Sequence, residues 1–376
     1  MTKTLLTIIS IIAFAFTSQA QNVTIPDANF KAYLLNTFYG INTDNDKLNI
    51  SVQEAAAFTG KMNIWMKQIS DLTGIEAFIN LTYLDCKSNS LTTLDLSLNT
   101  KLDTLICASN KLTALDLTNN VNLKYLECEN NLLTDLTINK ATKLGYLNCY
   151  GNQLSTLDIT KNTALIQLVC YKNQLTTLNT TNNILLERIE CYENQLLTLN
   201  LTQNVVLNYL WVDTNKLTQL DVSKNVLLNS FYIKKNLLTS IDISNNTLLT
   251  GLDCSSNLLT NLDVSNNIAI TILSCKSNQF TTLDVTRNIE LVYLLANSSP
   301  NLKTICALAS QTKTYWQIDN TTAYSETCTL GIDDNNLPQP KTITNIFNLQ
   351  GQAVNHTYQG LVIIRYADGT SEKMMQ

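Results

Sequence analysis

The 376-residue chain has one histidine, His356, near its C-terminal end. Ser-His-Asp and Cys-His catalysis both need an imidazole to carry a proton, so neither has a candidate in the body of the chain. There is no Gly-rich phosphate loop and no clustered metal-ligand spacing. There is no Lys/Arg-rich run, and the formal net charge is −5. Nucleic acid is therefore excluded as a partner, because phosphate binding needs concentrated positive charge. Proline is scarce at 4 residues and glycine at 10, with 15% charged and 45% apolar residues. That balance excludes both a collagen-like chain and a charge-rich disordered one. No apolar run after residue 20 is long enough to cross a membrane. An enzyme is not expected from these absences.

What is present in excess is repetition. From Leu81 the pattern L-x-x-L-x-C-x-x-N-x-L-T-x-L-D-L-S-x-N-x-x returns every 21 residues. Its coils begin at Leu81, Leu102, Leu123, Leu144, Leu165, Leu186, Leu207, Leu228, Leu249 and Ile270, and an imperfect one begins at Leu291. The half L-x-x-L-x-C-x-x-N-x-L resembles the leucine-rich repeat signature. Leu, Cys and Leu alternate with variable residues, a strand period. One coil cannot bury its apolar face, whereas stacked coils bury a continuous core. The second half shows no helical period and predicts another short extended segment on the opposite side. The expected fold is a strand-rich α/β-repeat solenoid of 21-residue coils with an N-terminal helical cap and a small C-terminal β tail. At about 4.8 Å per coil, ten coils give a rod about 50 Å long.

Asn holds the ninth place of every coil, from Asn89 and Asn110 to Asn278. A buried amide there would bond the backbone of its own coil and of the next. The sixth place holds Cys86, Cys107, Cys128, Cys149, Cys170, Cys191, Cys254 and Cys275, with Val212 and Ile233 substituting. That interchange predicts buried thiols acting as small apolar groups. Disulfides along the column are within reach by distance, but parallel side-chain vectors make the torsion awkward. A second column, Asp221, Asp242, Asp263 and Asp284, would either attract a cation or bond the backbone of the adjacent turn, and backbone bonding is the commoner use.

The ends depart from the repeat. Residues 1–20, MTKTLLTIISIIAFAFTSQA, carry a positive start, an apolar run and small residues before Gln21. They predict a cleaved export signal, with a membrane anchor as the alternative. Residues 21–80 form the N-terminal cap. "IPDANFKAYLLNTF" has helical apolar spacing at Phe30, Tyr33, Leu34 and Phe38, and "ISDLTGIEAFINL" leads into the first coil. This cap resembles that of internalin-like leucine-rich repeat proteins. Between these stretches, Asn42, Asp44, Asp46 and Glu54 form a weak calcium-loop candidate lacking the usual Gly. The alternative is a polar turn before a helix.

After the solenoid (81–301), residues 302–331 hold Cys306 and Cys328, which resemble the cysteine-closed end of related exported bacterial proteins. The resemblance implies a capping disulfide, and two unpaired thiols are the alternative. Residues 332–376 alternate apolar and polar residues around Gly turns. "IFNLQGQAV" and "GLVIIRYADGTSEK" resemble the sorting segment read by the type IX secretion machinery of Bacteroidota. A β-hairpin covering the chain end is the plainer reading. The resemblances together imply an exported bacterial protein, secreted or at the cell surface.

A solenoid offers long surfaces for binding. The outward places of the second half are uniformly small and polar, as in Thr93, Asp95 and Ser97. The outward third, fifth and seventh places of the first half vary, and in the central coils they are aromatic. Tyr150, Tyr171 and Tyr192 share one column; Tyr125, Tyr146 and Tyr209 share another; Trp211 and Tyr232 share a third, with Arg188 among them. Tyr and Trp give large contact area at low entropy cost. These nine residues are the expected partner-binding face. An extracellular protein is the expected partner, a glycan the alternative, and a purely structural spacer a third reading. The plain reading of the rings is cross-strand stabilisation at ~0.2–1 kcal/mol per pair.

Overall fold

The computed structural model describes residues 21–37, 49–311, 313–326, 343–348, 352–353, 361–366 and 371–375. The expected export signal (1–20), Phe38, Asn42, Asp44, Asp46, Cys328 and His356 lie outside the described residues.

Asp27 starts the first helix, α1 (Ala28–Thr37), by accepting from the Asn29 and Phe30 N–H groups at 2.9 Å. Its other carboxylate oxygen accepts from Ser70 N, which ties the helix start to the first coil. Phe30 and Leu34 are buried, at the spacing read from the sequence. Ser51 and Glu54 form a reciprocal capping box on α2 (Val52–Ala57). Glu54 Oε2 thereby accepts from Ser51 N at 2.9 Å and Ser51 Oγ at 2.8 Å. Glu54 Oε2 thus serves the start of this helix.

The body is a parallel solenoid. Its main sheet has 13 strands, each three residues long, running from Lys61–Asn63 to Tyr315–Gln317. Register follows the repeat, so Leu126 pairs with Leu147 and Leu147 with Leu168. The sheet therefore runs one strand ahead of the first repeat and one beyond the last. The opposite side differs from the expectation of one extended segment per coil. Among the described residues, paired strands occur there only between Ala114–Asp116 and Asp135–Thr137, and among Thr282–Asp284, Thr304–Cys306 and Ala323–Ser325. Elsewhere a local bond takes a backbone donor: Ser223, Ser244 and Ser265 each donate N–H to the Asp two residues earlier, at 2.9 Å. The Asp column thus bonds its own turn rather than the adjacent one.

The amides build two ladders. At the ninth place, Asn152 Nδ2 donates to the carbonyls of Cys149 and Cys128, both at 3.1 Å, and its Oδ1 accepts from Leu133 N at 3.0 Å. The eighth place is left-handed throughout, from φ 51° at Glu193 to 57° at Ser298, with Gly151 at 65°. The ninth-place amide satisfies the carbonyls that this sharp turn leaves behind. A second ladder occupies the nineteenth place. Asn225 Nδ2 donates to Leu201 O and Asn204 O at 3.0 and 2.8 Å. Gln311 ends this ladder by donating to Val285 O and Asn288 O.

Between the two sides lies a core of Leu, Ile and Val with the eight sixth-place thiols. All eight are free and buried. Burial pushes the Cys149 and Cys191 thiols up to about 12, so they stay protonated and behave as apolar volume. Cys306 is buried on its own strand. The tail strands Ile343–Asn348, Leu361–Tyr366 and Ser371–Met375 form a separate antiparallel sheet. No helix among the described residues is long and apolar enough to cross a membrane.

Candidate functional site

Strand alternation decides which side chains leave the sheet. In Tyr209–Trp211, Leu210 is buried while Tyr209 and Trp211 are half-buried on the outer face. All nine residues expected on this face do lie there, and each is half-buried. What covers them is mostly one another.

Tyr150 stacks on Tyr171 at 4.3 Å between ring centroids, and Tyr171 on Tyr192 at 4.1 Å. Interplanar angles of 8° and 11° make these face-to-face stacks. The column then changes. Trp211, at the fifth place, stacks on Tyr192, at the seventh, with centroids 4.2 Å apart. Tyr232 leans on both Trp211 and Tyr209, each at 5.7 Å and 53°. The Arg188 guanidinium lies 3.6 Å from the Tyr209 ring centre and holds Glu190 at 2.6 Å. Seven of the nine residues therefore form one ribbon. Tyr125 and Tyr146 form a separate stacked pair at 4.4 Å, and the Tyr125 hydroxyl donates to Glu127.

Rings stacked this way use their faces on each other. What they present outward is edges and hydroxyls. Burial raises the Tyr146, Tyr171 and Tyr192 hydroxyls above the usual phenol range, so they remain hydrogen-bond donors. Tyr150 is fixed further by Asn130, whose Nδ2 donates to its hydroxyl at 2.9 Å. Asn130 in turn rests against Gly151, where a Cβ would come within 2.7 Å of its Oδ1. Gly151 is needed at this place because any larger residue would push Asn130 off the tyrosine.

Carboxylates bracket the three-tyrosine column. On one side, Lys87 reaches past Ala108 to Glu129 at 3.6 Å. Glu129 is buried, which raises its carboxyl above the usual range. On the other side, Asp213 accepts from Lys234 N at 2.6 Å, and burial pushes it up to about 6.

The aromatics are less confined to the central coils than the sequence suggested. Tyr293 stacks on Tyr315 at 4.9 Å near the C-terminal end, and Lys61 lies 5.3 Å from the Tyr83 ring centre. What sets the centre apart is continuity. Trp65 was missed altogether. It is 50% exposed beside the left-handed Met66, at the seventh place of a coil that precedes the first repeat. The signal was there: Ile64 stands where later coils have Cys, 22 residues before Cys86.

The cysteine column also bears on kinship. The fold is similar to the solved functional domain of InlJ from Listeria monocytogenes, which includes a cysteine ladder. The TM-score is 0.59 at 27% identity, over 95% of this chain and 99% of that one. The fold is that of a leucine-rich repeat solenoid. Over 83 residues, 22% of the chain, the sequence is 39% identical to internalin J of Listeria monocytogenes serotype 4b (strain F2365). The chain spans 8% of that protein's length. The internalin InlF of Listeria monocytogenes strain 4b F2365 is similar in fold, with a TM-score of 0.66 at 21% identity over 81% of this chain and 96% of that one. So is the leucine-rich effector YopM of Yersinia pestis, at 0.54 and 22% over 65% and 73%. No family model matches the chain.

Proposed function

We propose that this chain is an exported, non-catalytic binding protein that holds a protein partner on its outer sheet face, across the coils from Tyr125 to Tyr232. The ribbon from Tyr150 to Tyr232 carries this reading. It is a rigid set of ring edges, phenol donors and one stacked arginine, the side-chain types enriched where protein interfaces hold most of their energy. Leucine-rich repeat folds commonly serve as interaction scaffolds, and the internalin-like fold adds support. The glycan alternative draws less support, because a sugar ring packs on an open aromatic face and these faces are occupied.

The remaining features fit an exported protein. The leader directs export, the tail from 332 directs sorting, and a Cys306–Cys328 bridge closes the solenoid end in an oxidising compartment. A calcium ion at Asn42, Asp44, Asp46 and Glu54 would share Glu54 with the helix start, where its Oε2 accepts from Ser51.

The test is a pull-down from host or neighbouring cell surfaces with the chain from Gln21 onward, beside a glycan array. Replacing Tyr150, Tyr171 and Tyr192 with Ala, with folding checked by thermal melting, should abolish protein capture. Capture that survives the triple substitution removes the proposed face. Array binding that disappears with the same variant favours the glycan instead.

A further inference from the structure

Each coil ends in a tight turn. In one, Leu207 N bonds Asn204 O and Asn204 N bonds Leu201 O, which leaves Val205 and Val206 at the tip. The tips of successive coils stack into two adjacent columns along one edge of the solenoid, at the turn that leads into each outer-face strand. In the early coils the first column reads Thr100, Val121, Thr142, Thr163, with Lys101 and Lys143 beside it. From the fifth coil it reads Ile184, Val205, Val226, Thr247, Ile268, Ile289. The second column turns apolar over the same coils, with Leu185, Leu227 and Leu248. These residues are not core: Ile268 is 58% and Ile289 65% exposed. No charge occurs in either column between Ile184 and Ala269.

At about 4.8 Å per coil the ridge is ~24 Å long and two side chains wide, on the order of 500 Å² of apolar surface. That is as large as the largest patch on an ordinary monomer. Two such ridges together would bury ~1,000 Å², the low end of a specific interface.

We propose that the ridge is a self-association surface, on which a second copy of this chain packs about a two-fold axis running along the ridge. The uncharged middle gives an anionic surface nothing to hold. The two columns, by contrast, complement each other in size. Rotation about an axis along the ridge sets each coil against its counterpart and exchanges the columns. Ile268 then meets the partner's Ala269, and Thr247 meets the partner's Leu248. At the C-terminal end of the ridge, Arg287 and Glu290 are exposed, and the ion pairs among the described residues leave both unpaired. The same rotation brings Arg287 toward the partner's Glu290, twice by symmetry.

Sedimentation of the chain from Gln21 onward, from about 1 to 100 μM, tests this. A surface at the low end of the specific-interface range predicts weak, reversible dimerisation that rises with concentration across this range. Ile268→Lys should weaken it at least tenfold, and Val121→Lys, in the same column of an early coil, should not. Both sites are exposed, so thermal melts should match the parent. Arg287→Glu should weaken the dimer, and adding Glu290→Arg should restore it. A monomer at 100 μM, or a dimer indifferent to Ile268→Lys, overturns the proposal. So does a monomer that instead pellets with phosphatidylcholine vesicles. A charge swap that restores nothing overturns the axis along the ridge.

Discussion

The indole of Trp211 lies on the ring of Tyr192, centroids 4.2 Å apart, although strand register sets Trp211 beside Glu190. Two neighbours account for this. Asp213, which continues the Tyr192 column, offers no ring, and Arg188 draws Glu190 aside with bonds of 2.6 and 2.7 Å. The ribbon crosses from one column to another because a large ring fills the vacant face.

Tyr171 stacks on both sides, and Tyr150 stacks on one ring and bonds Asn130. At ~0.5–1.5 kcal/mol per aromatic pair, Tyr171→Ala should cost ~1–3 kcal/mol and Tyr150→Ala about half of that. Urea midpoints followed by circular dichroism give the comparison. Equal costs would mean that the rings act singly rather than as a ladder.

Thr180 is the one polar residue in its inward column. Its Oγ lies 2.8 Å from Asn204 Oδ1. The corresponding oxygens of Asn225, Asn246 and Asn267 are buried without a partner, against Leu201, Val222 and Ile243 in the Thr180 place. Thr180→Val should therefore destabilise by ~1–2 kcal/mol, the cost of an unmet buried acceptor. Val222→Thr should do the reverse, by up to ~1 kcal/mol, by giving Asn246 a donor. A destabilising Val222→Thr would show that the hydroxyl costs more to bury than the bond returns.

Asp213 predicts a pH dependence. Its folded value, about 6, lies above the ~3.9 of an unfolded Asp, so the folded state holds the proton more tightly. The stabilising contribution is then full below about pH 4, falls as the pH rises to about 6, and is absent above. Asp213→Asn keeps an acceptor for Lys234 N and removes the charge. It should gain on the order of 1 kcal/mol at pH 7, reduced by solvent screening of a partly exposed group, and nothing at pH 4. Urea denaturation at the two pH values measures this. A gain that is the same at both would assign the effect to packing.

Much of the body was legible in the residues. The ninth-place Asn, the sixth-place Cys and their exchange with Val212 and Ile233 pointed to amide bonding and to thiols used as volume, and both are seen. The Asp column differs from expectation: it bonds the backbone of its own turn, not that of the adjacent one, because the N–H two residues on is the nearest free donor. Other features had little local signature. The left-handed eighth place is announced only by Gly151, because Ser, Lys, Glu and Thr adopt it elsewhere once the ninth-place amide holds the turn. Trp65 was hidden because its coil departs from the repeat by one residue and lacks the cysteine.

The 21-residue period dictates parallel, in-register coils, since each coil must lay its leucines on those of the last to bury them. That much needs no coordinates: the solenoid, its core and its ninth-place amide ladder follow from the spacing. Which rings meet does not follow. Tyr, Trp and Arg side chains are longer than the gap between coils, so they reach across columns and settle by competition with particular neighbours. The half-burial of the aromatic face, the change of column at Trp211 and the open ridge from Ile184 to Ile289 were decided only when the coils stacked.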